Sequence, residues 1–129
     1  KRADTASTAV TASDQAPAIV SYRTSRPSVA VLTYHRIVED DVDPWSLSVT
    51  PQRFAEQLAA IREVAMPLPL AEALARIQDG SLDRPAVVVT FDDGYADNLH
   101  TAQPILERFG VPATVFVASG AIDAGAEFW

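Results

Sequence analysis

Two adjacent carboxylates, Asp92 and Asp93, followed by Gly94, are the residues of this chain best placed to do chemistry. They come directly after an uninterrupted apolar run, Ala86-Val87-Val88-Val89-Thr90-Phe91. Charge at the edge of a core needs a cation, a metal or a hydrogen-bond network. Two such groups can divide labour. One binds a divalent metal, and the other takes a proton from metal-bound water, whose pKa the metal lowers toward ~7. Adjacent side chains on a strand point to opposite faces. The pair must therefore lie at or past the strand end, where Gly94 lets the backbone turn sharply and approach a ligand. The plainer reading is a helix cap or a structural cation site. The buried strand before the pair and the helix behind it weigh against that reading.

Those carboxylates need strands and helices to hold them. Val29-Ala-Val-Leu-Thr-Tyr34 reads as a first strand, covered on both faces. His35 and Arg36 stand where it ends, and an acidic loop with Glu39, Asp40, Asp41, Asp43 and Trp45 follows. Thr50 and Pro51 open a helix as cap and first helical residue, with Phe54, Leu58 and Ile61 on one apolar face. Pro67 and Pro69 break it. Leu70, Leu74 and Ile77 mark a second short helix stopped by Gly80. Ala86 to Phe91 is the second strand. Asp97 is a plausible cap for a third helix over 98–109, with Ala102, Ile105, Leu106 and Phe109 inward and Gly110 at its end. Ala113 to Val117 is a third strand. The order β, α, α, β, α, β implies right-handed crossovers and a parallel sheet or barrel. The working face of such folds lies at the C-terminal strand ends. His35, the Asp92–Asp93 pair and Ser119-Gly120 all fall on that rim.

Composition narrows the chemistry further. The 129 residues suit one domain or part of one, and 48% apolar content supports a packed core. Ten basic against 17 acidic residues give a net charge of -7 with no basic cluster, so nucleic acid is not an expected partner. The same field disfavours a polyanionic substrate. With no cysteine, thiolate metal sites, disulfides and a Cys nucleophile are excluded. No apolar stretch reaches the ~18–20 residues that span a bilayer, and no signal peptide is recognisable. Residues 1–28, rich in Ala, Thr and Ser, read as a disordered or linker arm. The chain starts at Lys1 and stops at Phe128-Trp129, which suggests a mature product whose polypeptide continues further.

Thr90-Phe91-Asp92-Asp93-Gly94-Tyr95, followed by Asp97-Asn98 and later by Ala113-Thr114-Val115-Phe116-Val117, closely resembles the polysaccharide deacetylase (NodB-homology) family of carbohydrate esterases. Leu32-Thr33-Tyr34-His35-Arg36-Ile37 resembles the first-strand signature of the branch that acts on exopolysaccharides. The resemblance covers residues 29–129. It implies an α/β fold, a distorted parallel (β/α) barrel of which this chain would hold the first three or so strands. It also implies metal-dependent removal of N-acetyl groups from an amino-sugar polysaccharide such as peptidoglycan, a chitin-like polymer or an exopolysaccharide. Asp92 would then be the general base, Asp93 a metal ligand, and the backbone N–H of Tyr95 an oxyanion donor. The metal would be Zn2+, with Co2+ or Ni2+ as alternatives. A place in the cell envelope follows by analogy.

The family's remaining metal ligands are histidines in a His-x-x-x-His pattern past the third strand. The two histidines here, His35 and His100, do not match it. The general acid of the family has no counterpart either. The 129 residues alone are therefore expected to be inactive, with the C-terminal part of the same domain as the natural partner. His35 lines the sugar site or steadies a carboxylate, unless it is a structural histidine of the barrel mouth. His100 reads as a helix-surface or packing residue. Trp45 and Tyr95 offer rings that stack on sugars, although packing is the plainer use of Trp45. The acidic loop reads as solvated.

Rival classes fit less well. Haloacid dehalogenase-type phosphatases need Asp-x-Asp, whereas Gly94 and Tyr95 stand at the positions that spacing requires. Receiver domains need a phospho-acceptor Asp on a later strand. An interaction module built on the N-terminal arm leaves the twin carboxylates unexplained. A degenerate family member that binds glycan without cleaving it stays open at this stage.

Overall fold

The computed structural model describes residues 27–122. The expected arm over 1–28 lies outside them but for Pro27 and Ser28, and so does Trp129.

Strand β5, Ala86–Phe91, is the axis of the sheet, and all six of its residues are buried. β1, Val29–Tyr34, runs parallel to it over its whole length, with Val29 opposite Ala86 and Tyr34 opposite Phe91. The other edge of β5 is shared. β4, Met66–Pro67, pairs with its first two residues, and β6, Ala113–Val115, with its last three, both in parallel. A second parallel pair joins β2, Arg36–Ile37, to β3, Ser48–Val49. The α/β class and parallel strands expected from the sequence are present.

The continuous apolar run of β5 has a direct cause: both of its faces are covered. Val87, Val89 and Phe91 share one core with Phe54, Leu58 and Ile61 of helix α1, Pro51–Val64, and with Ala102 and Leu106. Ala86 and Val88 face the other way, against Leu68 and Ala73. The Thr50 hydroxyl accepts the Arg53 N–H at 3.3 Å and so caps α1 as its sequence required.

Four expectations are corrected. β1 is not covered on both faces: Val31 is 55% exposed, because β1 is an edge strand of the described sheet. Helix α2, Leu70–Gln78, turns Ala73 rather than Leu74 and Ile77 into the core, and those two are 50% and 53% exposed. Only the small Ala73 permits the close approach to Ala86 and Val88. The third helix is not uniform. A wide π-type turn, Asn98–Ala102, leads into α3, Gln103–Phe109, and the Gln103 N–H reaches back to the Asn98 carbonyl. Pro104 has no N–H to donate, and its ring would crowd the carbonyl four residues earlier, so the wider turn accommodates it. Finally, β6 ends at Val115 rather than Val117, as the chain leaves the ladder to support the turn described next.

Candidate active site

The twin carboxylates occupy the turn that closes β5. The Asp92 N–H still donates to the Tyr34 carbonyl at 2.9 Å, which extends the pairing with β1 by one residue. The backbone then leaves the strand. Asp93 has φ of 72° and Gly94 has φ of 74°, and the Gly94 N–H donates to the Asp92 carbonyl at 2.9 Å. Left-handed backbone at a non-glycine residue is uncommon and interrupts the alternation of a strand. The segment after β6 braces this turn: the Phe116 N–H donates to the Phe91 carbonyl at 2.8 Å and the Ala118 N–H to the Asp93 carbonyl at 3.3 Å. Asp92 and Asp93 both stand half-buried at the C-terminal end of the sheet.

His35, one residue past β1, joins them. Its Nε2 is 3.9 Å from Asp92 Oδ2, an ion-pair distance for a protonated ring and too long for a hydrogen bond. The in-register pairing of Tyr34 with Phe91 puts these two side chains at one place on the rim.

Three residues that sequence reasoning missed or misassigned connect the rim. Asp97 does not cap the third helix. Its backbone is already helical, at φ −67° and ψ −19°, whereas a capping residue is extended. Its carboxylate instead accepts the Ile37 N–H at 2.8 Å through Oδ1 and Arg36 Nε at 3.1 Å through Oδ2. Asn98 Nδ2 donates to the His35 carbonyl at 2.8 Å and to Asp97 Oδ1 at 3.3 Å. The Arg36 guanidinium lies 4.9 Å from the centre of the Tyr95 ring, and its Nη1 is 3.7 Å from Asp40 Oδ2. The Asp97-Asn98 pair directly behind the turn was visible in the sequence. Its partners lie about 60 residues away, as the spacing of 63 between Asn98 and His35 shows, and no local pattern names them.

The Tyr95 ring is not a sugar platform, since only 5% of the residue is exposed and Arg36 covers it. Its backbone N–H follows Gly94 directly at the end of the turn. Trp45 is not packed: it is 74% exposed. The acidic loop that carries it has internal order. Asp43 accepts the Ser48 N–H at 2.8 Å and the Leu47 N–H at 2.9 Å, and these bonds hold its carboxyl below the usual range. His100 is exposed on the π-type turn, and Ser119 and Gly120 are exposed in a short helical turn on the rim.

Among the described residues, no group of three or more His, Cys, Asp or Glu side chains is placed to hold a metal ion. Catalytic zinc sites take three protein ligands. Asp93, with Asp92 and His35 beside it, is at most a partial set, and the described residues do not fit a metal by themselves.

Comparison with known proteins places this geometry. Residues 79–128 match the model of the polysaccharide deacetylase family. A Bacillus subtilis (strain 168) protein named as a candidate polysaccharide deacetylase, YxkH, is 30% identical over 103 residues, covering 78% of this chain and 36% of its own length. The poly-beta-1,6-N-acetyl-D-glucosamine N-deacetylase of Escherichia coli (strain K12) is 31% identical over 98 residues, covering 74% of this chain and 15% of its own. Among solved structures, the Streptococcus pyogenes deacetylase PplD in complex with acetate superposes with a TM-score of 0.66 at 28% identity, covering 76% of this chain and 46% of its own. IcaB from Ammonifex degensii gives 0.64 at 30% identity, covering 74% and 40%. This chain thus spans roughly a third or less of the curated relatives it matches.

Proposed function

Because this chain belongs to the polysaccharide deacetylases of NodB-homology type, as the N-terminal part of their domain, we propose that it serves hydrolysis of N-acetyl groups on an amino-sugar polysaccharide, with Asp92 as general base. The observation that carries the proposal is the Asp92-Asp93-Gly94 turn, which leaves two carboxylates half-buried side by side at the C-terminal end of a buried strand.

The chemistry assigned to these residues is limited. Asp92 takes a proton from the attacking water, whose oxygen bonds to the acetamide carbon. The C–N bond then breaks, acetate leaves, and the sugar amine takes up a proton. Asp93 contributes a carboxylate to a divalent cation, with Zn2+ first and Co2+ or Ni2+ as alternatives. That assignment holds only where further ligands come from outside these 129 residues, as does the general acid. The Tyr95 N–H is the candidate donor to the oxyanion. His35 borders the sugar. Substrates of the class named for the E. coli relative, and work at the cell envelope, belong to the same proposal.

The test is acetate release from poly-N-acetylglucosamine, peptidoglycan and chitin oligomers by a polypeptide that joins this chain to the rest of its domain, with and without chelator. Asp92→Asn is expected to lower release by about 10²–10⁴-fold with the fold intact. Polymer binding without acetate release in the parent protein would identify a non-catalytic glycan binder instead.

A further inference from the structure

We infer that Asp97 and Asn98 are positioning residues: their side chains clamp the His35–Ile37 segment so that the His35 imidazole stands at Asp92. The inference rests on the proposed role of Asp92.

Two consecutive side chains grip three consecutive residues. Asn98 Nδ2 holds the His35 carbonyl at 2.8 Å, Asp97 Oδ2 holds Arg36 Nε at 3.1 Å, and Asp97 Oδ1 holds the Ile37 N–H at 2.8 Å. On the near side, the sheet fixes the residue before His35: Tyr34 pairs with Phe91, and its carbonyl accepts the Asp92 N–H. His35 is thus anchored before by the strand that leads to Asp92 and after by the helix that follows Gly94. Its Nε2 reaches to 3.9 Å from Asp92 Oδ2. Without the clamp, the segment after Tyr34 is tied only to β3, through Arg36 N–H to the Leu47 carbonyl at 3.2 Å and Val38 N–H to the Val49 carbonyl at 3.0 Å. Those bonds fix the acidic loop but do not reach the carboxylate turn.

The orientation of Asn98 is determined by its surroundings. Its amide nitrogen faces two acceptors, the His35 carbonyl and Asp97 Oδ1. A flipped amide would set oxygen against oxygen at both. The consequence is that Asn98 Oδ1 is buried with no partner among the described residues, in a side chain only 7% exposed. Native proteins seldom leave a buried acceptor unmatched, and each case calls for a reason. A residue selected for packing alone would be apolar here, beside Ala102 and Leu106. The hydrogen bond to His35 is the reason an amide stands there.

The chain has two histidines, so the test can be read directly. His100, exposed, is the internal reference for the imidazole NMR signals of His35. At one fixed pH, Asp92→Asn is expected to displace the His35 ring resonances in the parent chain. In an Asn98→Ala background, the same substitution is expected to displace them by no more than about half as much. Equal displacement in both backgrounds overturns the inference. Where Asn98→Ala fails to fold, Asp97→Asn keeps the shape and an oxygen for the Ile37 N–H but removes the charge facing Arg36. The comparison is then read in that background, and equal displacement overturns the inference in the same way.

In the joined domain, Asn98→Ala is expected to lower kcat about 10–100-fold with KM within about twofold, and to add little when His35→Ala is already present. Additive losses would overturn the inference. Absence of acetate release from the parent domain would sink the deacetylase reading and leave the NMR comparison to decide this one.

Discussion

Val117 packs against the α-carbon of Gly94: a Cβ built at Gly94 would lie 2.9 Å from Val117 Cγ1 and 3.3 Å from Val117 Cβ. The same glycine has φ of 74°, so two separate causes exclude a side chain there. Gly94→Ala is expected to cost about 1–3 kcal/mol in urea denaturation. Val117 is 60% exposed, so Val117→Ala by itself should cost little. The Gly94→Ala/Val117→Ala double variant is expected to recover the steric share and keep the backbone share. Equal losses in the single and double variants would show that the close approach contributes nothing.

Asp93 carries the same backbone strain without the excuse of lacking a side chain, at φ of 72°. A strained residue at a reactive rim trades stability for placement. Asp93→Gly is therefore expected to raise stability by up to about 1 kcal/mol while abolishing acetate release in the joined domain. Asp93→Asn, which tolerates left-handed backbone, should leave stability unchanged within about 0.5 kcal/mol. A β-branched Asp93→Val should be the least stable of the three. If Asp93→Gly were destabilising by thermal denaturation, the left-handed geometry would carry no penalty in the folded chain.

Much of this was legible in the sequence, and the limits have physical causes. β5, α1 with its Thr50 cap, and the inward face of α3 announced themselves because each is governed by a local period or a local hydrogen bond. The site was legible to the extent that it is contiguous: Asp92, Asp93, Gly94 and Tyr95 are neighbours in the chain. The two-residue strands β2, β3 and β4 are too short to show any period. Asp97 was misread because its sequence position suits a cap, while its partners, Arg36 and Ile37, come from another part of the chain. Leu74 and Ile77 have the right spacing for a buried face, yet the sheet admits only Ala73. Periodicity reports which face is apolar, not how closely a neighbouring strand approaches.

The rim rests on an aromatic trio. Phe54 is fully buried, its ring edge-on to Tyr34 at 5.1 Å and to Phe91 at 5.9 Å between centroids. Tyr34 and Phe91 immediately precede His35 and Asp92. Truncation at Phe54 should therefore unsettle both site residues through their neighbours. Phe54→Ala is expected to cost about 3–5 kcal/mol, and Phe54→Leu clearly less because more of the volume is kept. In the folded Phe54→Leu variant, backbone amide signals of His35 and Asp92 should shift more than that of the remote Gly80. If only residues of α1 responded, the trio would be a packing unit without influence on the rim.

The loop that presents Trp45 should respond to acid. Asp43 is solvent-accessible, and its carboxyl is held below the ordinary range first by the Ser48 N–H and then by the Leu47 N–H. A folded-state value below the unfolded one means that ionised Asp43 favours the ordered loop. That contribution is full above the unfolded value, about pH 3.9, and fades as pH falls through the lower folded value. The amide proton shifts of Leu47 and Ser48 are expected to hold steady down to about pH 4 and then move together toward unbonded values. In Asp43→Ala, the same two signals should already sit at those values at neutral pH and stay flat on acidification. Movement that begins well above pH 4 in the parent chain, or that survives in Asp43→Ala, would assign the acid response to another group.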